Sequence, residues 1–415
     1  MFPPLIDIVT EHAEEAAFLW CLRGLLASAP HVGLAALEEA DLRVDAHLDG
    51  VRTAGEAGWE IACGQLGSGD ASEVFVAALN ALESGVEARV AEIAAAVKSP
   101  SDLLRGLSAA LAWAPHSLAI ERIPGLLELD EPIRSAAISG AASHGIDSAK
   151  TLRLALESEI PEYRSSACVA AARLRRADLL GAMVDLLSDA DPEVRFHAAV
   201  SSLLLGRASS LTELQHLAQQ PGAFAEDAGR VAARALDPQT GKAWVGDLAR
   251  SGALSVRRAS VAAAGSVGDP SLVPWLIEAL AEPPLARLAA EALAVMTGLD
   301  VFAKAVRGAP PAGFVAGPSD DPAESDVALD ADEDLPWLDP AQVRSWWEAN
   351  DSRFRPGTRH LLGEPITVSV LKAVLRMGRQ RERAAAALEL ALTTHVRLFD
   401  VKAPSCLQRN LLGAG

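Results

Sequence analysis

Residues 189–206, DADPEVRFHAAVSSLLLG, decide the fold. Asp191 followed by Pro192 reads as a helix start. The aspartate can accept from N–H groups that have no partner within the helix, and proline at the first helical position lacks only an N–H that would go unpaired. In the helix that follows, Val194, Ala198 and Leu205 fall on one side. Phe196, Ala199, Val200 and Leu203 fall on the other. A helix apolar on two sides is sandwiched between neighbours, as in a stacked array. Arg195 fits less easily, because a cation gains nothing at the positive end of the helix dipole.

That arginine recurs. SDLLRGLSAALAW holds Arg105, DEPIRSAAISGAASHG Arg134, IPEYRSSACVAAARL Arg164, ALSVRRASVAAAGSVG Arg257 and PPLARLAAEALAVMTG Arg287. With Arg195 in the series, the spacings are 29, 30, 31, 62 and 30 residues. The long gap is two repeats, and EDAGRVAARAL, with Arg230, reads as the drifted unit between. Self-similarity at about 30 residues is the signature of a solenoid. Each unit has a turn, an Ala/Val/Leu helix, a break and a second apolar helix such as ADLLGAMVDLLSD or PSLVPWLIEALAE. Aromatics make up only 4% of the chain, which suits tightly packed helices better than sheets. The expectation is an all-α, HEAT-like α-solenoid, a right-handed superhelix of about seven helical pairs with atypical N- and C-terminal regions.

The arginines need a structural reason. A hydrogen bond or ion pair to the preceding unit's turn would supply it, the guanidinium fork reaching carbonyls or an aspartate. Arg105, Arg134, Arg164, Arg195, Arg257 and Arg287 are therefore read as repeat-linking residues. The other reading is a row of ligand-binding arginines along one edge.

Composition bounds the function. A formal net charge of -18 argues against phosphate-neutralising nucleic-acid binding and against an anionic membrane surface. No run of about 18 apolar residues and no signal peptide occurs, so the expectation is a soluble cytoplasmic protein without a membrane span. Cys21, Cys63, Cys168 and Cys406 lie far apart, and buried free thiols are expected rather than a disulfide or zinc framework. No nucleotide-binding, hydrolase-elbow or metalloprotease motif is present. His12 and Glu15 share a helical face, which reads as solvated surface. The expectation is therefore no catalytic residue, no cofactor and no metal.

Four regions follow: a helical cap at 1–60, the repeat array at 61–307, a segment at 308–335, and a C-terminal helical region at 336–415. The segment GAPPAGFVAGPSDDPAESDVALDADEDL carries eight acids and no Lys or Arg, and reads as a flexible, self-repelling loop. It lacks the central Gly and closing Glu of an EF-hand loop. The last region has 12 basic against 7 acidic residues, onto which the acidic loop could fold back. Trp337, Trp346 and Trp347 with Arg353 and Arg355 are candidate partner-binding residues, since Trp and Arg dominate interface hot spots.

The repeats at roughly 100–300 resemble short HEAT-like repeats of the kind also found in phycobilin lyases. Three further stretches carry a wider resemblance: EHAEEAAFLW, AHLDGVRTAGEAGW, and WWEANDSRFRPGTRHLLGEP together with GRQRERAAAALELAL. They resemble a bacterial family of HEAT-like proteins encoded in type VI secretion gene clusters. The resemblance implies a non-enzymatic adaptor, effector chaperone or immunity protein, with a secretion effector or spike component as partner. A lyase-like or glycosylase-like enzyme and a self-assembling structural part are the alternatives.

Overall fold

The computed structural model describes residues 4–97, 101–314 and 330–413. The chain divides into two compact units, Met1–Arg207 with Arg397–Gly415, and Ala208–Val396. Both are built from helices, and the fold is an all-α helical repeat.

In the first unit, α1 (Ile6–Leu26), α2 (Leu34–Thr53) and α3 (Glu56–Gln65) pack on one another outside the repeat pattern. Then come α4 (Ala71–Ser84), α5 (Glu87–Ala96), α6 (Ser101–Trp113), α7 (His116–Leu126), α8 (Glu131–His144), α9 (Ala149–Leu156), α10 (Pro161–Arg173), α11 (Leu180–Asp185) and α12 (Pro192–Leu204). The even-numbered helices form one layer, each packing on the next. The shorter odd-numbered helices lie against them.

The alanines explain the close layer. Ala136, Ala137 and Ala141 of α8 and Ala167, Ala170 and Ala171 of α10 are all buried, so backbones approach with few long side chains between. Gly106 marks the limit: a Cβ there would lie 2.1 Å from the Ala71 carbonyl oxygen of α4. Asp191 caps α12 as its sequence requires, Oδ1 accepting from the N–H groups of Glu193 at 2.8 Å and Val194 at 3.4 Å.

The second unit repeats the scheme. Its helices are α13 (Leu211–Gln219), α14 (Ala225–Ala235), α15 (Pro238–Ala249), α16 (Leu254–Val267), α17 (Val273–Ala279) and α18 (Pro283–Thr297). Here α14, α16 and α18 stack, with α13, α15 and α17 beside them. Arg230 lies on α14, so the drifted unit occupies the arginine layer like the others. Beyond it, α19 (Pro340–Asn350) packs on α17, and α20 (Val368–Met377) pairs with α21 (Gln380–Thr394). A short hairpin pairs His360–Leu361 with Glu364–Pro365 and rests on α18.

The last helix, α22 (Ser405–Gly413), belongs to the first unit. Residues 336–415 are thus shared between the units. A buried ion pair holds the returning segment: Arg23 Nε donates to Asp41 Oδ1 at 2.7 Å, and its other nitrogens donate to the carbonyls of Lys402 and Ala403 at 2.6 and 2.7 Å. Asp41 Oδ2 accepts from the Ser405 N–H at 2.6 Å.

Of the acidic segment, residues 315–329 lie outside the described residues, and with them Asp320, Asp321, Glu324 and Asp326. Its far end is anchored. Asp332 is buried and accepts from both terminal nitrogens of Arg258 at 2.7 and 2.9 Å, and Asp330 pairs with Arg287. The described acids that pair thus meet arginines of the repeat layer, not the basic C-terminal stretch.

Candidate functional site

The repeat arginines come first, because their position in the layer decides whether they can serve a ligand. Arg164 of α10 grips Asp189 with Nε and Nη2 at 2.8 and 2.9 Å, and its Nη1 donates to the Ser158 carbonyl at 2.7 Å. Arg195 donates to the carbonyls of Asp189 and Ala190 at 2.8 and 3.1 Å. Asp189 therefore ties two successive units. Burial pushes its carboxyl up, but the Arg164 fork and the Asp191 N–H outweigh burial and hold it below the usual carboxylate range. Arg257 pairs with Glu282 at 2.7 Å in the same way. The acid sits on the turn that opens the following helix, not on the preceding turn. There the positive end of the helix dipole favours an anion, so the arginine follows its partner rather than the dipole.

The pattern fails where the acid is missing. Ser158 stands before α10 where Asp189 stands before α12, and Arg134 is left with a buried Nε that has no hydrogen-bond partner. Arg105 is exposed and lies 5.2 Å over the Trp20 ring. Arg287, besides Asp330, lies 5.0 Å over Trp337 and 5.2 Å over Phe314.

The partner-binding candidates separate. Trp337 is half-buried on Arg287. Trp346 and Trp347 are half-buried on α19, and Trp347 lies 5.1 Å from buried Phe354. Arg353 is exposed, donates to Asn350 Oδ1 at 3.2 Å and lies 5.9 Å over Phe354. Arg355 is also exposed. Trp346, Trp347, Arg353 and Phe354 thus gather at the end of α19, apart from Trp337.

Three features escape sequence reading. One is a buried charge network in the second unit. Glu389 accepts from Arg234 at 3.2 Å and from Arg359 at 3.1 Å, while Arg359 also donates to the carbonyls of Ala233 and Arg234 that end α14. Glu291 accepts from Arg230 and Arg381 at 3.1 and 2.8 Å, and those cations keep its carboxyl low against burial. The partners lie 61 and 90 residues from Glu291, beyond any local pattern.

The second is a polar groove of ≈ 150 Å³ on the arginine layer of the first unit. Ser139 of α8, Ser165, Ser166 and Arg173 of α10, and Glu193 and His197 of α12 line it. Ser165 Oγ is buried there without a hydrogen-bond partner. Arg173 pairs with Asp400 at 2.8 Å.

The third is the exposure of two thiols. Cys168 is buried and its thiol is pushed up to about 12 by burial, but Cys21 and Cys406 are exposed rather than buried as expected. Cys63 is raised to about 11, first by burial and then by Glu92, to which it donates at 3.2 Å. Among the described residues no three His, Cys, Asp or Glu side chains converge as metal ligands.

No family model matches the chain, and no curated protein matches it. Among solved structures it is similar to an engineered protein, at 17% identity and a TM-score of 0.32, covering 69% of this chain and 88% of that one. No described helix is long and apolar enough to cross a membrane.

Proposed function

We propose that the chain is a non-enzymatic protein-binding scaffold whose working surface is the arginine-helix layer of the first unit. The groove between α8, α10 and α12 carries the reading. It is preformed, polar and lined by side chains that can donate and accept. The helices around it are clamped by Arg164 and Asp189, so binding there would lose little conformational freedom. The resemblance of the N-terminal and C-terminal stretches narrows the reading to a cytoplasmic adaptor, effector chaperone or immunity protein of type VI secretion. The net charge of -18 would favour a basic partner and strong salt dependence.

The test is affinity isolation from the native bacterium with the wild-type chain and with Ser166→Arg, which fills the groove. A secretion effector or spike component recovered by the wild type and lost with the variant is the expected result. Equal recovery by both would remove the groove from the account.

A further inference from the structure

We propose that His12 and His47 form a binding site for a divalent transition-metal ion of the zinc, nickel or copper class. His12 projects from α1 and His47 from α2, and their Nδ1 atoms lie 3.2 Å apart. The rings stand edge to face, with centroids 5.2 Å apart and planes at 66°. Both residues are half-buried, so an ion can reach them from solvent.

Two observations raise the pair above a chance contact. The first is the distance. Zinc with tetrahedral nitrogen ligands at about 2.0–2.1 Å sets neighbouring nitrogens about 3.3–3.4 Å apart. The Nδ1 pair needs to open by only about 0.1–0.2 Å to hold the ion between the two rings. The second is the seat of the ring. Gly50 lies one turn beyond His47, inside α2, where glycine is disfavoured against alanine. A Cβ at Gly50 would fall 2.4 to 2.9 Å from three atoms of the His12 ring. The imidazole therefore rests on bare backbone, and the glycine is what lets it face His47.

Imidazole nitrogen suits zinc, copper and nickel and is a poor ligand for magnesium or calcium. Among the described residues no third protein ligand joins the pair, so water completes the coordination. His116 and His144 face each other in a similar way at 3.4 Å. There, however, Arg397 donates to the Ser143 carbonyl and its charge bears on His144. A dication would meet that fixed positive charge, so the first pair is the stronger site.

The test is calorimetric titration of the full chain with zinc chloride in a non-chelating buffer, with magnesium chloride as control. His12→Gln and His47→Gln keep a hydrogen-bonding amide but remove the nitrogen ligand. Each should lose one equivalent of bound zinc, and magnesium should give no heat. Gly50→Ala, with both histidines kept, should bind at least tenfold more weakly. Because a variant could lose its fold, the wild-type chain is also followed by nitrogen NMR of the histidine rings. The His12 and His47 Nδ1 signals should shift together as zinc is added. Unchanged signals from both rings, or full zinc stoichiometry in both glutamine variants, would overturn the site.

Discussion

Arg164 and Arg134 occupy the same place in successive units and meet different ends. Arg164 has Asp189, and the two side chains are 14% and 9% exposed, so the pair is largely desolvated. Arg164→Ala should cost about 3 kcal/mol in urea unfolding, the low end for removing one partner of a buried pair. Asp189→Asn should cost a similar amount. Arg134 offers the contrast, since its Nε is buried and unpaired. Arg134→Met keeps the volume and removes the unmet donor, so stability should stay within about 0.5 kcal/mol or rise. A loss as large as that of Arg164→Ala would show a partner the geometry does not reveal.

His144 makes a pH prediction at the same scale. Burial first, then His116 and Arg397, depress its imidazole below 6.5, and the bond to the Leu111 carbonyl only partly offsets them. The folded state thus resists protonation more than the unfolded state does. Its contribution is present above about 6.5 and is lost as pH falls toward the depressed folded value. The melting temperature should drop as pH falls below about 6.5, and His144→Gln should flatten that limb. An identical limb in the variant would assign the effect to other groups.

At the scale of the element, the helices of the arginine layer were legible because three signals agreed: a spacing of about 30 residues, Asp, Ser or Pro turns ahead of the helices, and runs of alanine within them. The drifted unit at Arg230 was legible only from the gap it had to fill. The partners of the arginines were not legible. Asp189 lies 25 residues from Arg164 and Asp332 lies 74 from Arg258, and only stacking brings them together. The groove was equally hidden, since Ser139, Ser166 and His197 share no motif and become neighbours only when α8, α10 and α12 align.

Helix spacing can be tested through glycine. Gly106→Ala should improve helix propensity yet destabilise the chain by about 1–3 kcal/mol, because the new methyl meets the Ala71 carbonyl. Gly24→Ala, on α1 with nothing within 4 Å, should stabilise by up to about 1 kcal/mol. If both substitutions stabilise, the layer is looser than its alanines imply.

At the scale of the whole molecule, the informative feature is the return of residues 397–413 to the first unit. Composition alone joined them to the Trp/Arg-rich stretch before them, because nothing local announces that Asp41 will cap Ser405 or that Arg23 will take two carbonyls. Ending the chain after Val396 should leave Arg23 and Asp41 partly unpaired and lower the stability of the first unit. Calorimetry should then show an earlier transition while the second unit melts as before. A single unshifted transition would mean that the returning segment contributes little.

The measurement that bears most directly on the scaffold reading is site-specific photo-crosslinking in the native bacterium. A photoreactive residue is placed at Ser166 in the groove, at Arg353 beside the tryptophans, or at exposed Leu154 on α9 as a control. The account predicts a discrete protein adduct from position 166 and none from 154. No adduct from 166, whether or not 353 gives one, or equal adducts from all three, would contradict it.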